Sequence, residues 1–305
     1  MDQIHEQLLA EVAGFHKIPE GAYNIRVNGK GLERKTTANI NIVPKKDGNG
    51  IEIYVKPGTR KESLHIPVLL SQSGLKDMVY NDFYIGEGAD VVIIAGCGIH
   101  NGGSEKTQHD GIHTFYIEKG AKVKYVEKHY GQGEGIGERV LNPKTSIHIK
   151  EDGYMEIDSV QIKGVDSTFR ETEADLKEGA TLVVKEKIMT HDSQKAETSF
   201  HVTLDGERAS ANIVSRSVAR DMSKQLFLSK VYGNTACTGH TECDSIIMDN
   251  AYVGAIPEIY ANHQDASLVH EAAIGKIAGE QLIKLMTLGL TKKEAEEQII
   301  NGFLK

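Results

Sequence analysis

Residues 87–94 read Glu-Gly-Ala-Asp-Val-Val-Ile-Ile, in which a charged residue and a glycine precede a short run of mostly β-branched residues. The same unit of turn and strand returns at Lys119-Gly120-Ala121, Asp152-Gly153-Tyr154, Glu178-Gly179-Ala180 and Asp205-Gly206-Glu207. Its glycines, at positions 88, 120, 153, 179 and 206, are 32, 33, 26 and 27 residues apart. A unit of this size cannot bury its apolar side alone, whereas stacked copies build a continuous core. The repeat therefore predicts a β-helix or β-solenoid, with a β-sandwich of ordinary hairpins as the alternative.

The composition is typical of a globular protein that binds neither nucleic acid nor membrane. The chain has 305 residues, of which 39% are hydrophobic and 26% charged, and its net charge is −8. Contacts to phosphate need clustered lysine and arginine, so this acidic excess argues against nucleic acid and anionic membranes as partners. The chain contains no apolar run long enough to cross a membrane. Three cysteines are too few for a disulfide scaffold, and with no signal-peptide pattern at the start they predict a cytoplasmic location.

The order of these patterns predicts three parts. Residues 1–45 hold lead-in strands and a short amphipathic helix, whose apolar stripe is Ile4, Leu8, Leu9 and Val12. Residues 46–262 form the β-helix core, and residues 263–305 form a C-terminal helical segment. Within that segment Thr291-Lys-Lys-Glu294 is a capping box, which opens the last helix.

A glycine-rich stretch at residues 131–137 invites comparison with a phosphate-binding loop. Ile136 stands where the dinucleotide-binding pattern needs glycine, and no helical pattern follows. The stretch is therefore predicted to be a loop between strands.

Residues 241–275 carry the groups that bind soft metals or handle sulfur. Cys243 lies between Glu242 and Asp244, and alternation along a strand would turn these two acids to the opposite face. A His270-Glu271 pair follows, so a thiol, an imidazole and a carboxylate recur in one region. The plainer interpretation is a cysteine that only packs and a surface His-Glu pair.

Two other groups of possible ligands occur in the sequence. Cys237, His240 and Cys243 have a spacing that zinc sites use, but a second ligand pair of the usual kind is missing, and Cys237 is expected to serve packing. Near Cys97, three histidines are candidates for a second polar patch or are simply solvated loop residues: His100, His109 and His113.

Several segments together match one known family. They are Val269-His-Glu-Ala-Ala-Ile-Gly-Lys-Ile-Ala-Gly-Glu280-Gln-Leu, Leu288-Gly-Leu-Thr, Glu294-Ala295, Ile300-Asn-Gly-Phe303, Cys243-Asp-Ser245 and Ala95-Gly-Cys97. In these segments the chain resembles the SufB/SufD proteins, the scaffold subunits of the Suf iron–sulfur cluster assembly machine. The resemblance covers roughly residues 60–305. It implies a right-handed parallel β-helix with a helical C-terminal segment that binds a SufC-like ATPase.

The resemblance also implies roles for four residues. Cys243 matches the interface cysteine of SufB, His270 the histidine that SufD supplies there, and Glu271 the neighbouring carboxylate of SufB. These three are the expected metal ligands, and Cys97 matches the cysteine that receives sulfur. Because one chain combines features of both proteins and is shorter than a typical SufB, we expect a homodimer, with a SufB/SufD-like partner as the alternative.

The functional hypothesis is a non-enzymatic scaffold that carries an iron–sulfur cluster transiently. One alternative is a structural or interaction protein of the same fold with a degenerate cluster site. Another is a β-helix enzyme acting on carbohydrate, which 6% aromatic residues and no tryptophan disfavour. A flavin is a possible further cofactor that no sequence feature supports.

Overall fold

Strands dominate the part of the chain that the computed structural model describes, residues 3–14 and 21–305. In chain order the elements are α1 (Gln3–Ala13), β1 (Ala22–Val27), β2 (Lys30–Lys35), β3 (Ile40–Pro44), β4 (Gly50–Val55), β5 (Arg60–Leu70), β6 (Lys76–Ile85), β7 (Asp90–His100), β8 (Thr107–Ile117), β9 (Lys122–Gln132), β10 (Arg139–Leu141), β11 (Lys144–Ile149), β12 (Tyr154–Lys163), β13 (Ser167–Leu176), β14 (Thr181–Thr190), β15 (Lys195–Leu204), β16 (Ser210–Ala219), β17 (Lys224–Gly233), β18 (Thr238–Ile247), β19 (Tyr252–Ala261), β20 (Ser267–Gly275), α2 (Gly279–Thr287) and α3 (Lys292–Phe303). Residues 1, 2 and 15–20 of the predicted N-terminal part lie outside the described residues.

Most neighbouring strands are parallel and form two ten-stranded sheets. One sheet runs β2-β1-β5-β7-β9-β12-β14-β16-β18-β20, and the other runs β19-β17-β15-β13-β10-β8-β6-β4-β3, with β11 between β8 and β13. Strands β13, β15, β17 and β19 pair without a register shift, so equivalent residues of successive turns lie above one another. The chain thus forms a β-solenoid of about eight turns. This confirms the predicted stacked fold and excludes the sandwich.

The turns at one corner of the solenoid also stack, and each contains one residue with a left-handed backbone. Gly88, Gly120 and Gly179 have φ values of 62°, 63° and 64°. In the two other units the left-handed residues are Asp152 (φ 53°) and Arg208 (φ 59°). Backbone hydrogen bonds align the column, since the N–H of each of these five residues donates to a carbonyl of the next turn.

The prediction that Gly153 and Gly206 are the equivalent turn glycines is therefore wrong by one and two residues. Glycine is still required at these two positions, because a backbone or side chain from an earlier part of the chain lies too close for a Cβ atom. A Cβ atom on Gly206 would lie 2.0 Å from the backbone nitrogen of Glu178, and one on Gly153 would lie 2.7 Å from the Ile149 side chain.

Alternation along the strands turns every second side chain into the solenoid, where apolar residues stack in columns. The rings of Phe83 and Phe115 stack with their centroids 4.2 Å apart, and the fully buried Tyr125 lies edge-on to Phe115. Cys237 belongs to the same apolar core.

The two ends of the solenoid differ. Antiparallel hairpins, β1–β2 and β3–β4, lie at the N-terminal end. At the C-terminal end β19 and β20 are the outermost strands of their sheets, and no further strand covers them among the described residues. Ile256 on β19 is 53% exposed and Val269 on β20 is 45% exposed. This end therefore presents a wide unpaired edge.

The helical part begins at Gly279. Residues 267–275 were predicted to belong to the C-terminal helical segment, but they form strand β20. The predicted capping box is present: Thr291 Oγ1 accepts from the Glu294 N–H, and the Glu294 carboxylate accepts from the Thr291 N–H. Helix α3 packs Ile300 against β16 and β18. Helix α2 buries none of its residues. Within the described residues every helix is too short and too polar to cross a bilayer.

Candidate functional site

Cys97 is turned into the solenoid by close packing on the outer side of β7. Its neighbours Gly96 and Gly98 lie beneath helix α1, and a Cβ atom on Gly96 would lie 2.5 Å from the carbonyl oxygen of Val12. Only glycine fits at that approach, so α1 covers the outer face of β7 while the cysteine faces inward. Burial raises the pKa of the Cys97 thiol well above its usual value.

A cavity of about 20 Å³ adjoins Cys97 inside the solenoid. Three buried histidines and a buried carboxylate share its wall with the thiol: His109, His113, His129 and Glu127. The predicted patch therefore contains His109 and His113 but not His100. His129 replaces it, since β7 and β9 pair Cys97 with His129.

Hydrogen bonds orient two of these rings. The Nδ1 atom of His109 lies 3.0 Å from the carboxylate of Asp77, which also accepts from Arg26. The Nδ1 atom of His113 lies 2.8 Å from the hydroxyl of Tyr125. Burial lowers the pKa of His113 to about 4, so this ring is neutral near pH 7.

Beyond the cavity, one buried arginine joins two buried carboxylates. Arg170 donates to Glu127 and to Nδ1 of His129, and its Nε lies 3.4 Å from Glu186. Burial alone would raise the pKa of Glu127, but the nearby Arg170 and His129 hold it well below its usual range. Burial dominates at Glu186 and raises its pKa. Sequence reasoning missed this group, because its members lie on three different strands.

The polar interior continues from Glu186 to Cys243. Glu186 accepts hydrogen bonds from Thr198 (3.1 Å) and Ser215 (2.7 Å), and the strand register pairs Ser215 with Cys243. These four residues line a second small cavity of about 10 Å³. Burial raises the pKa of the Cys243 thiol to about 11. A row of buried polar side chains thus runs inside the solenoid from Cys97 to Cys243.

The three predicted metal ligands lie on two faces of the sheet. Cys243 is buried inside, and Glu242 and Asp244 point outward, as alternation predicted. His270 also points inward, where its Nδ1 lies 2.7 Å from Thr241 Oγ1, and its buried Nε2 has no partner among the described residues. Burial, followed by the nearby His240, lowers the pKa of His270.

Glu271 points outward and meets two residues that sequence reasoning did not connect with it. The ligand atoms of His240, Glu242 and Glu271 all lie within 4.8 Å of one another. His240 Nε2 faces the Glu271 carboxylate at 3.6 Å, while its Nδ1–H donates to Asn212 at 3.0 Å. A metal-bound histidine is commonly anchored through its second nitrogen in this way. The His-x-Glu spacing of His240 and Glu242, which puts both side chains on one face of β18, is the sequence signal that could have revealed this group.

The zinc grouping of Cys237, His240 and Cys243 is not assembled. His240 points to the outer surface, whereas both cysteines are buried inside the solenoid. Among the described residues a second group of ligand atoms, formed by His191, Asp192 and Asp221, lies on the surface. The predicted loop is confirmed for residues 133–138, where Gly133, Gly135 and Gly137 pack against the backbone of residues 101–105, whereas Gly131 belongs to β9 and lies against Gly164.

Comparison with known proteins places these features in a family. Residues 76–303 match the family described as SUF system FeS cluster assembly, SufBD core domain. A relative from Archaeoglobus fulgidus, described as an iron–sulfur cluster assembly SufBD family protein, is 30% identical over 264 residues, which are 85% of this chain and 69% of that relative. Similarly described relatives from Methanocaldococcus jannaschii and Methanothermobacter thermautotrophicus are 29% and 28% identical over 83% and 84% of this chain. These matches span 80% and 62% of the two relatives.

Proposed function

Because the chain belongs to the iron–sulfur cluster assembly SufBD family, we propose that it is the assembly scaffold of a Suf-type system. Sulfur is received at Cys97, passes along the solenoid interior, and is combined with iron beside Cys243. The cluster is carried only until it is handed on. The protein acts in the cytoplasm and catalyses no reaction of its own.

The observation that carries the proposal is the buried polar row between Cys97 and Cys243. Polar side chains buried inside a solenoid core lower the stability of the fold relative to the apolar side chains that could fill the same space. Here one buried cation, Arg170, sits between Glu127 and Glu186 at the middle of the row. A guanidinium and hydroxyl groups donate the hydrogen bonds that stabilise an anion such as a thiolate. The buried polar row therefore does not serve the stability of the fold, and its hydrogen-bond donors are suited to the passage of reduced sulfur.

The unpaired C-terminal end is the place where we propose that two copies meet. Unpaired strand edges are ready to pair with another chain, and a twofold interface joins the same surface of both copies. Each copy then contributes Cys243 and His270 from the inside and Glu271 from the outside. A single chain cannot supply enough thiolates for one cluster, whereas two chains with mixed ligands can.

We assign a SufC-like ATPase to the C-terminal helices. Helix α2 and its C-cap leave three large apolar side chains exposed, Ile283 (62%), Met286 (44%) and the C-cap residue Leu288 (80%). A helix of this kind fits a groove on a partner. Docking there leaves the unpaired strand edge free for the second copy.

Anaerobic reconstitution with ferrous iron and sulfide tests the proposal. The wild-type chain should develop the sulfide-to-iron absorption of an iron–sulfur cluster, and Cys243→Ala should lose it. Cys237→Ala is the matched control, since this buried cysteine only packs in the apolar core and its loss should leave the absorption unchanged. Equal absorption in Cys243→Ala would refute the assignment of the site. Absence of absorption in all three proteins would favour a structural protein with a degenerate site.

A further inference from the structure

The cavity beside Cys97 is built around a glycine that leaves two imidazoles facing each other. Gly111 lies between His109 and His113 on β8, and all three face inward. A Cβ atom on Gly111 would lie 3.3 Å from Nε2 of His109 and 3.3 Å from Nε2 of His113. Both nitrogens therefore border the same small space, which the missing side chain of Gly111 keeps open.

The hydrogen bonds of the two rings determine which nitrogen carries the proton. Asp77 is an acceptor, so Nδ1 of His109 must donate to it. Tyr125 gives its hydroxyl proton to Glu127, so its oxygen accepts from Nδ1 of His113. With Nδ1 occupied as a donor in both residues, Nε2 is the ring nitrogen that is left to bind a ligand in the cavity. Among the described residues neither Nε2 has a hydrogen-bond partner, and both rings are more than nine-tenths buried.

Two ring nitrogens that face one cavity can share a single hydrogen-bond donor or a single cation. We propose that the cavity binds one transition-metal ion through Nε2 of His109 and Nε2 of His113, with the Cys97 thiolate as third ligand. Imidazole and thiolate favour ions such as Zn²⁺ and Fe²⁺, and each ring already has the second-sphere anchor that metal-bound histidines use. Binding releases the thiol proton of Cys97 to solvent.

The dimensions of the cavity suit a single ion. Its volume of about 20 Å³ holds one small particle. Metal–imidazole bonds are about 2.0–2.1 Å long. An ion at the position that a Gly111 Cβ atom would take lies 3.3 Å from each Nε2, so both rings must move toward it. The three ligand atoms do not all lie within 4.8 Å of one another, so binding has to draw them together.

One residue of the cavity wall also borders an open surface groove. Asn142 and Pro143 connect β10 to β11 and both line the cavity, and the backbone pairing continues through them, since the Asn142 N–H donates to the His109 carbonyl and the Pro143 carbonyl accepts from the Glu171 N–H. Asn142 also lines an open surface groove of about 910 Å³. An ion in the groove is therefore separated from the cavity by the one layer that contains Asn142.

Metal binding is measured with Co²⁺ and Zn²⁺ alone, on the full chain, in a His191→Ala, His240→Ala, Cys237→Ser, Cys243→Ser background. These substitutions disable both surface groups and leave Cys97 as the single thiol. The background protein should retain one ion per chain after desalting, and its Co²⁺ form should show thiolate charge-transfer absorption. Gly111→Ala should retain none, because the added methyl group fills the space between the rings while all three ligands remain. Cys97→Ser should lose the charge-transfer absorption.

Circular dichroism of each variant establishes that it is folded. His113→Ala is a second test that removes a ligand without filling the cavity, and it should also lose the ion. His148→Ala, which removes an exposed histidine on β11, should bind as the background does. Undiminished binding in Gly111→Ala, or no retained ion in the background protein, would overturn the proposal. No sulfide or iron–sulfur cluster enters the measurement, so its result is independent of the scaffold function.

Discussion

Replacing Arg170 by methionine should destabilise the solenoid by about 3 to 5 kcal/mol, the usual cost of removing one partner from a buried ion group. The exposed fractions of the three side chains are 7% for Arg170, 4% for Glu127 and 1% for Glu186. Methionine fills a similar volume but leaves both carboxylates without a cation. The loss therefore comes from uncompensated charge and not from a cavity.

The pH dependence of this loss has a defined sign. In the wild type, Glu127 has a depressed pKa, so it stabilises the fold above its unfolded pKa of about 4.3 and that contribution is lost as the pH falls. Glu186 has a raised pKa, so its contribution increases on protonation. Without Arg170 both pKa values rise, and the variant recovers stability on acidification. The deficit should shrink between about pH 7.5 and about pH 5.

Guanidinium unfolding followed by circular dichroism at both pH values measures the two effects. Arg208→Met is the matched control, because Arg208 also bridges two acids, Asp152 and Glu178, but its side chain is 66% exposed. Exposed ion pairs contribute about 0.2 to 1 kcal/mol, so the control should lose no more than that at either pH. A loss below about 1 kcal/mol in Arg170→Met, or a loss that is equal at both pH values, would refute the account of the buried group.

Three further outcomes are expected. Ile259→Asp should weaken self-association measured by light scattering, because Ile259 is a 40% exposed apolar residue on the outermost strand β19. Ile136→Asp, which changes an exposed residue in a surface loop, should leave self-association unchanged. An Ile259→Asp particle mass equal to that of the wild type would contradict the proposed interface. In a Cys97→Ser, Cys237→Ser background, alkylation of Cys243 should accelerate up to about pH 10, since burial raises its pKa to about 11; a plateau near pH 8.5, where free cysteine titrates, would contradict this. Deletion of residues 279–305 should abolish co-purification with the ATPase, and survival of the complex would exclude docking through α2 and α3.

The fold could be predicted from sequence because its repeat is local. The charged residue, the turn and the following strand lie within about eight residues, so units such as residues 87–94 are visible without knowledge of contacts. The exact turn residue was not visible, because Asp152 and Arg208 adopt the left-handed backbone that glycine favours. Their positions follow from the stacking of turns, which only the register defines.

The candidate site was predictable in its strand-level geometry but not in its partners. Alternation correctly placed Glu242 and Asp244 on the strand face opposite to Cys243. The group of Glu127, Arg170 and Glu186 could not be predicted, because its members are 43 and 16 residues apart and meet only through the register of three strands. The contact of His240 with Glu271 has the same origin, since β18 and β20 are adjacent in space and separated in sequence.

Strand alternation also limits where a cluster using all the proposed ligands can form. Cys243 and His270 face the interior, and Glu271 faces outward, so the sheet itself separates the thiol and imidazole from the carboxylate. In the middle of the solenoid no single cluster could reach both faces, because neighbouring strands close the wall on each side. Strand β20 is the outermost strand of its sheet among the described residues, and a group lying against its free edge can contact both faces. The proposed ligand set therefore requires assembly at this edge, and the edge is also where a second copy would have to lie to complete the coordination.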